Sequence, residues 1–461
     1  MSGSDASSDA PPPRPTLVPD LLWKDGRFQA GLAVELGPDG RIASVRDAAH
    51  ARGRPGEVRR LHGRALLPGF VNAHSHAFQR LLRGRTQWRP RAHARADFWT
   101  WREAMYDLAL SLGEEALAEA SRACFREMLR AGFTAVGEFH YLHRGRDGAA
   151  PDPPDRFARV VVDAARDAGI RVVLLHAAYA TGAIGEPLRD RQRRFATPDL
   201  EGYLDGLDRL SEALGRAGGA SVGAAPHSLR AVPREWLGPI AAWCERSSAP
   251  LHMHVSEHPA EVEASLEAYG VRPVRVLADE GLLSTRFTAV HATHLEPPEA
   301  DLLGEAGATV CACPTTERDL ADGFLPLEQL RPARVPIAIG SDSNVIIDPF
   351  EELRCLEYHE RLRTGRRVVV AEPAPRADGG EPDRLECAPP LLDIGTRDGA
   401  RSLGVEAGAI EPGLLADLVA VDLDHPTLEG WGADSLAALL VFCAPTSVVR
   451  EVWVGGRPVV P

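Results

Sequence analysis

At 461 residues the chain is long enough for one large domain and a smaller one, each with its own core. A hydrophobic fraction of 44% and a charged fraction of 25% are those of a globular protein in water. The net charge of −13 excludes an extended basic face for nucleic acid or anionic membrane, and no apolar run reaches the ~20 residues that span a bilayer.

In chain order, Met1 to Pro13 is Ser, Asp, Ala and Pro without a basic or apolar region, so residues 1–16 read as a disordered tail and not as a signal peptide. Residues 17–66 carry short strand-like runs, such as Gly31 to Leu36 and Arg41 to Val45, broken by turns such as Pro38-Asp39-Gly40. This unit is too short to close on itself. Residues 408–461 have the same character, in Gly413 to Asp422 and Val448 to Arg457. The two ends are therefore predicted to pair into one small β-sandwich, with residues 67–407 inserted between them.

The insert alternates strand-like runs with helical patterns. Eight strand candidates are Phe70–His74, Thr134–Glu138, Arg171–His176, Ser221–Pro226, Pro250–His254, Phe287–His291, Ala308–Cys313 and Val335–Gly340. Helical spacing separates several of them, as in Glu114 to Arg130, stopped by Gly132, and in 200–214 and 261–269. Eight near-continuous apolar strands alternating with helices predict an α/β fold, a (β/α)8 TIM-like barrel, whose chemistry belongs at the C-terminal strand ends. The stretch 372–390 is rich in Pro, Gly and Asp and reads as a flexible insertion.

Those strand ends carry polar, metal-competent residues with unusual regularity. They are His74 and His76, Glu138 and His140, His176, His227, then His252, His254, Glu257 and His258, then His291 and His294, Glu317, and Asp342. Imidazoles at i and i+2 of an extended strand point to one side, so His74 and His76 can reach a single ion. Three histidine nitrogens and one carboxylate, from His74, His76, His254 and Asp342, suit one Zn²⁺ with an open position for water, whose pKa falls toward ~7. Glu257, three residues beyond His254, is placed beside the ion as a proton shuttle. His291 is placed to hydrogen-bond the reacting centre, and Asp342 to take the proton of the water while holding the metal. Lys24 is the only lysine and lies in a polar turn far from these histidines, which makes a pyridoxal Schiff base or a carbamylated-lysine metal pair improbable. The seven cysteines, odd in number and mostly in apolar surroundings, suggest reduced thiols in a cytoplasmic protein, with Cys311 and Cys313 on a buried strand.

The His-x-His after strand one, His254, His291 and Asp342 resemble the amidohydrolase superfamily, and Glu257 resembles its single-metal deaminase members. Longer strings are similar to the formimidoylglutamate deiminases. They are His74-Ser75-His76-Ala77-Phe78-Gln79-Arg80, Phe98 to Tyr106, Glu138-Phe139-His140-Tyr141, Ala225 to Val232 and Cys313-Pro314-Thr315-Thr316-Glu317. The match spans almost the whole chain. It implies hydrolysis of N-formimidoyl-L-glutamate to N-formyl-L-glutamate and ammonia in histidine degradation, by a homodimer holding one Zn²⁺, or Fe²⁺, per subunit. It further implies that Gln79, Arg102, Tyr141, His227 and Arg230 hold a small dicarboxylate substrate, a task that suits planar guanidinium groups. Asn344 departs from the family pattern, which has histidine there, and an amide lacks the ionisable group, which bears on substrate selection. The loop Leu142 to Gly148 is also more basic than the family pattern. A deaminase of a purine or of a guanidino acid is the alternative, and stacking aromatics in place of paired arginines would mark a purine site. A catalytically silent scaffold would have lost metal ligands, and this chain keeps the full set.

Overall fold

Eight parallel strands form the central sheet of the computed structural model, which describes residues 15–51, 58–89, 91, 96–215, 219–373 and 384–460. They are β1 (Phe70–Ser75), β2 (Phe133–His140), β3 (Arg171–Ala178), β4 (Ala220–Pro226), β5 (Leu251–Val255), β6 (Phe287–His291), β7 (Thr309–Ala312) and β8 (Ile337–Ile339). Their order in the sheet is their order in the chain. Just past the last strand, Asp342 N donates to His74 O at 3.0 Å and His76 N donates to Asp342 O at 2.9 Å, which ties β8 to β1 and closes the barrel. The strands are buried on both faces, as runs such as Val172 to Leu175 require. The barrel interior is lined by small residues, including Ala73, Val290, Cys311, Cys313 and Ala338. Cys311 is thus a buried strand residue, whereas Cys313, also buried, lies just past the end of β7 at the start of the next helix; both thiols are free.

Close packing around β1 depends on two glycines. A Cβ at Gly340 would lie 2.7 Å from His74 O, and one at Gly137 would lie 2.6 Å from Ala73 O. Neither contact is tolerable between unbonded atoms, so both neighbours of β1 need bare backbone there.

Of the helices between strands, α1 (Phe98–Ser111) and α2 (Glu114–Ala131) matter most for the site. α1 opens on a capping box, with Asp97 accepting from Thr100 N and Thr100 Oγ1 accepting from Asp97 N. α2 ends where Gly132 takes φ 100°, the left-handed stop predicted there. The buried guanidinium of Arg194 donates to Ala109 O and Leu112 O, which satisfies the carbonyls at the end of α1.

The ends of the chain pair as expected. Strand Thr16–Lys24 runs parallel to Val58–Pro68, which pairs antiparallel with Leu418–Asp422. The result is one eight-stranded sheet, and residues from both its ends, including Val34, Leu36, Leu418 and Trp453, share one buried cluster, so the sheet folds over itself. Three boundaries differ from the sequence reading. Residues 1–14 of the predicted tail lie outside the described residues, and Thr16 already begins a strand. Helix Leu436–Cys443, within the stretch given to the β unit, packs with the barrel's own core through Leu436, Leu440 and Val441. The predicted insertion lies outside the described residues at 374–383; its flanks, Glu372–Pro373 and Leu385–Glu386, pair as a short ladder, and Ala388–Asp393 is helical. Among the described residues no helix is long and apolar enough to cross a membrane.

Candidate active site

The C-terminal strand ends converge on one buried centre. His74 Nε2 lies 3.2 Å from His76 Nε2 and 3.2 Å from His254 Nε2. Asp342 Oδ1 lies 3.3 Å from both His74 Nε2 and His76 Nε2. A tetrahedron built on zinc–nitrogen bonds of 2.0–2.1 Å has edges of about 3.4 Å. Three imidazole nitrogens and one carboxylate oxygen at this spacing therefore fit a single Zn²⁺-sized ion. The outer nitrogens fix the tautomers: His76 Nδ1 donates to Phe139 O at 2.9 Å and His254 Nδ1 to His227 O at 2.8 Å, which leaves each Nε2 lone pair facing the centre. Burial holds the His74 imidazole neutral, with its pKa pushed down to about 3.

The backbone around this centre is strained where it turns. Ser256, His291, Ala292, Asp342 and Asn344 all have φ between 42° and 69°, the left-handed region that side-chain-bearing residues avoid. These turns aim His291 and Asp342 inward from the ends of β6 and β8.

Three acid–base groups surround the centre. Glu257 Oε1 lies 3.6 Å from His291 Nε2, and its Oε2 lies 3.3 Å from His258 Nε2 and 3.7 Å from an Arg230 amino nitrogen. Burial raises the Glu257 carboxyl to about 7, although His291 and Arg230 pull it down. Burial opposes the charged form of His291, but Glu257, Glu317 and Asp342 outweigh it and raise its pKa well above the usual value. Glu317 Oε1 sits 3.3 Å from His291 Nδ1, so Nε2 faces the cavity. Burial pushes Asp342 up, but His74, His76 and His291 hold it well below the ordinary carboxylate range.

A cavity of about 50 Å³ opens over this centre. His76, His254, Glu257, His291 and Asp342 line its floor, and Gln79, Arg102, Tyr141, His227 and Arg230 line its walls. His74 lies behind the floor, fully buried. All the residues predicted to form the site are thus brought together. Gln79 Nε2 donates to Tyr141 OH at 2.6 Å. The Arg102 guanidinium lies 4.3 Å from the Trp99 ring centre and 5.4 Å from that of Tyr106, and Arg230 lies 5.9 Å from Trp99. Arg230 has Glu257 and Glu261 within 3.7 and 3.9 Å. Arg102 has no carboxylate partner among the described residues, and its buried Nε makes no hydrogen bond.

Other strand-end residues are not part of this centre. His140, His143 and His176 pack into a separate cluster, with ring centres 5.5 and 4.6 Å apart. His252 bonds Ser402 O at 2.9 Å. Asn344 does not line the cavity. It is fully buried, and its Nδ2 donates to Ser75 Oγ, His76 O and Asp342 O at 3.2, 3.0 and 3.0 Å. It clasps the barrel seam, so its bearing on substrate selection is indirect.

The cavity also contains residues the sequence did not assign. Phe98, Trp101, Met105 and Tyr106 line it together with Arg102. Their spacing of three and four residues puts them on one face of α1, a signal present in the sequence once the helix is known. Tyr179 and Phe195 come from the connection after β3, where no pattern marks them. Trp101 and Leu320 also line a second, larger cavity of about 790 Å³ next to the first.

A parallel barrel closed by its own metal-ligand turns, with a folded-over β domain from both chain ends, is the architecture of a known class. Residues 65–459 match the model of the Amidohydrolase family, and the chain belongs to that family. Among individual proteins, it is 36% identical to formimidoylglutamate deiminase of Pseudomonas aeruginosa, across 96% of this chain and 93% of that one. It is 32% identical to 5-methylthioadenosine/S-adenosylhomocysteine deaminase of Halobacterium salinarum, across 79% of this chain and 75% of that one. The crystal structure of an adenosine deaminase from Xanthomonas campestris with bound zinc superposes with a TM-score of 0.79 at 27% identity, covering 97% of this chain and 93% of that one. The family and these relatives make the chain a hydrolase of C–N bonds.

Proposed function

We propose that this chain hydrolyses N-formimidoyl-L-glutamate to N-formyl-L-glutamate and ammonia, in the breakdown of histidine. The observation that carries this reading is the pair of guanidinium groups in the cavity, and above all Arg102, a partly buried cation with no carboxylate ion-paired to it among the described residues. A substrate with two carboxylates supplies the missing anion, and planar guanidinium groups bind carboxylates in bidentate fashion. The likeness to formimidoylglutamate deiminase supports the same substrate. The purine deaminases among the relatives favour a nucleoside, and Phe98, Trp101 and Phe195 supply aromatic faces for one. Two arginines in the cavity wall favour the smaller, doubly anionic substrate.

The residues divide the chemistry between them. His74, His76, His254 and Asp342 would hold Zn²⁺, which supplies a water of lowered pKa and a Lewis acid. Asp342 accepts the proton of the attacking water. His291 Nε2–H donates to the oxygen as negative charge develops there. Glu257 Oε1 takes a proton and delivers it to the nitrogen that leaves, and its pKa of about 7 suits both steps near neutral pH. The cationic formimidoyl group is drawn to the carboxylates of Glu257 and Asp342, while Arg102 and Arg230 anchor the opposite end.

Metal content of the purified protein, measured with ammonia release from N-formimidoyl-L-glutamate, tests the proposal. A nucleoside and a guanidino acid serve as controls. A zinc-loaded protein that ignores the first substrate and turns over a control refutes it.

A further inference from the structure

Gln192 sits beneath the cavity wall, 1% exposed, within the short helical turn Asp190–Phe195. Its Oε1 accepts from Arg189 N at 2.9 Å, which fixes the orientation of the amide. Nε2 therefore faces the other way, and it donates to both Tyr106 OH at 3.2 Å and Tyr179 OH at 3.0 Å. Both amide protons are used, and both phenol oxygens are acceptors.

The consequence is a count of protons. Each phenol keeps its own O–H hydrogen. Both oxygens accept from the one Gln192 amide nitrogen, which makes the two hydroxyls neighbours, so at most one of these hydrogens can serve the other oxygen. The other has no acceptor among the described residues. Tyr106 and Tyr179 are 3% and 5% exposed, and both line the catalytic cavity beside Arg102 and Arg230. A buried O–H left without an acceptor next to two guanidinium groups is a donor aimed at an anion.

We propose that Tyr106 and Tyr179, set by Gln192, present a phenolic O–H to a substrate carboxylate bound at Arg102 and Arg230. The two tyrosines are then substrate-binding residues, and Gln192 is a positioning residue that acts through them. This rests on the dicarboxylate reading above. A neutral donor adds direction to the charge of the arginines: it reads where a carboxylate oxygen lies without adding another repelling cation.

Steady-state kinetics of the metal-loaded enzyme test this with Tyr106→Phe, Tyr179→Phe and Gln192→Leu. The substrates are N-formimidoyl-L-glutamate and two analogues that each lack one of its carboxylates, N-formimidoyl-4-aminobutyrate and N-formimidoyl-L-norvaline. On the dicarboxylate each variant should raise KM about tenfold or more, with a smaller fall in kcat. The penalty should vanish on the analogue that lacks the carboxylate these residues read. Zinc content and thermal midpoint, measured on each variant, separate a damaged fold from a lost contact. Phenylalanine variants with unchanged KM on the dicarboxylate overturn the proposal, as does an equal loss on all three substrates. A wild-type enzyme that releases no ammonia from N-formimidoyl-L-glutamate overturns the dicarboxylate reading and this proposal with it; turnover by wild type with unchanged variant KM overturns this proposal alone.

Discussion

Asp342 and His74 are joined twice. The Asp342 backbone N donates to His74 O at 3.0 Å, and the Asp342 carboxylate lies 3.3 Å from His74 Nε2. One contact closes the barrel between its last and first strands, and the other forms half of the candidate metal centre. An ion held there would bridge the seam, so metal occupancy and barrel stability should be linked. Chelation is expected to lower the thermal midpoint by about 4 °C, as loss of a ligand present at ~1,000 times its Kd costs about 4 kcal/mol. Calorimetry before and after chelation and zinc reloading checks this; an unchanged midpoint on full metal removal would break the link.

Arg102 and Arg230 should respond differently to the same substitution. Arg102→Met removes a cation without a carboxylate partner, so kcat/KM on the dicarboxylate should fall about a hundredfold while the thermal midpoint holds or rises. Arg230→Met strips the cation from Glu257 and Glu261, leaving two buried carboxylates, and should cost about 3 kcal/mol of stability. Arg230 also lowers the Glu257 pKa, which stands at about 7 with it present. Its removal raises that value, so the rise of kcat with pH should move to higher pH in Arg230→Met and stay in place in Arg102→Met. Paired pH–rate profiles decide it.

Asn344→Leu is expected to empty the metal centre without touching the cavity. The side chain would lose three donated hydrogen bonds at the seam and one accepted from Ser341 Oγ at 2.7 Å. A β-unbranched apolar residue at φ 59° adds backbone strain. Zinc content below half and a thermal midpoint lowered by several degrees should result, with the residual loaded fraction keeping its KM. An unchanged KM distinguishes a seam residue from a substrate contact.

His252 should make stability depend on pH. It is fully buried, donates to Ser402 O, and burial pushes its pKa from 6.5 to about 4. Between these values the unfolded chain binds a proton that the folded protein does not. Its contribution is therefore complete above pH 6.5 and is lost as pH falls toward 4. His252→Gln can keep a donor to Ser402 O without the titration, so its urea midpoint should fall less steeply over that window than that of wild type.

The strand ends were legible because each barrel strand is a short apolar run that stops at a polar residue. Every predicted barrel strand appears, with boundaries shifted by up to about two residues. His74 and His76 could be paired by the period of a strand alone. The face of α1 that carries Arg102 could be read only through resemblance, because Trp101, Met105 and Tyr106 have the spacing of any buried helix face. Tyr179, Gln192 and Phe195 were invisible: they lie in an irregular connection whose course is fixed by what it packs against. Leu436–Cys443 was given to the β unit because eight apolar residues have no periodicity that separates strand from buried helix. Asn344 stands out in the sequence only as a departure bearing on substrate selection, and its hydrogen bonds make it a clasp.

Lys24, whose uniqueness argued against lysine-dependent chemistry, also gives this protein a singular reactive handle. It is the only side-chain amine, it lies at the end of a terminal β strand paired with Asp25 at 2.7 Å, and it is partly exposed. Of the seven thiols only that of Cys443 is exposed, at the end of a helix packed on the barrel. With the α-amine blocked, an amine-directed donor dye and a thiol-directed acceptor dye would therefore report one distance, between the folded-over sheet and the barrel, without introducing a residue.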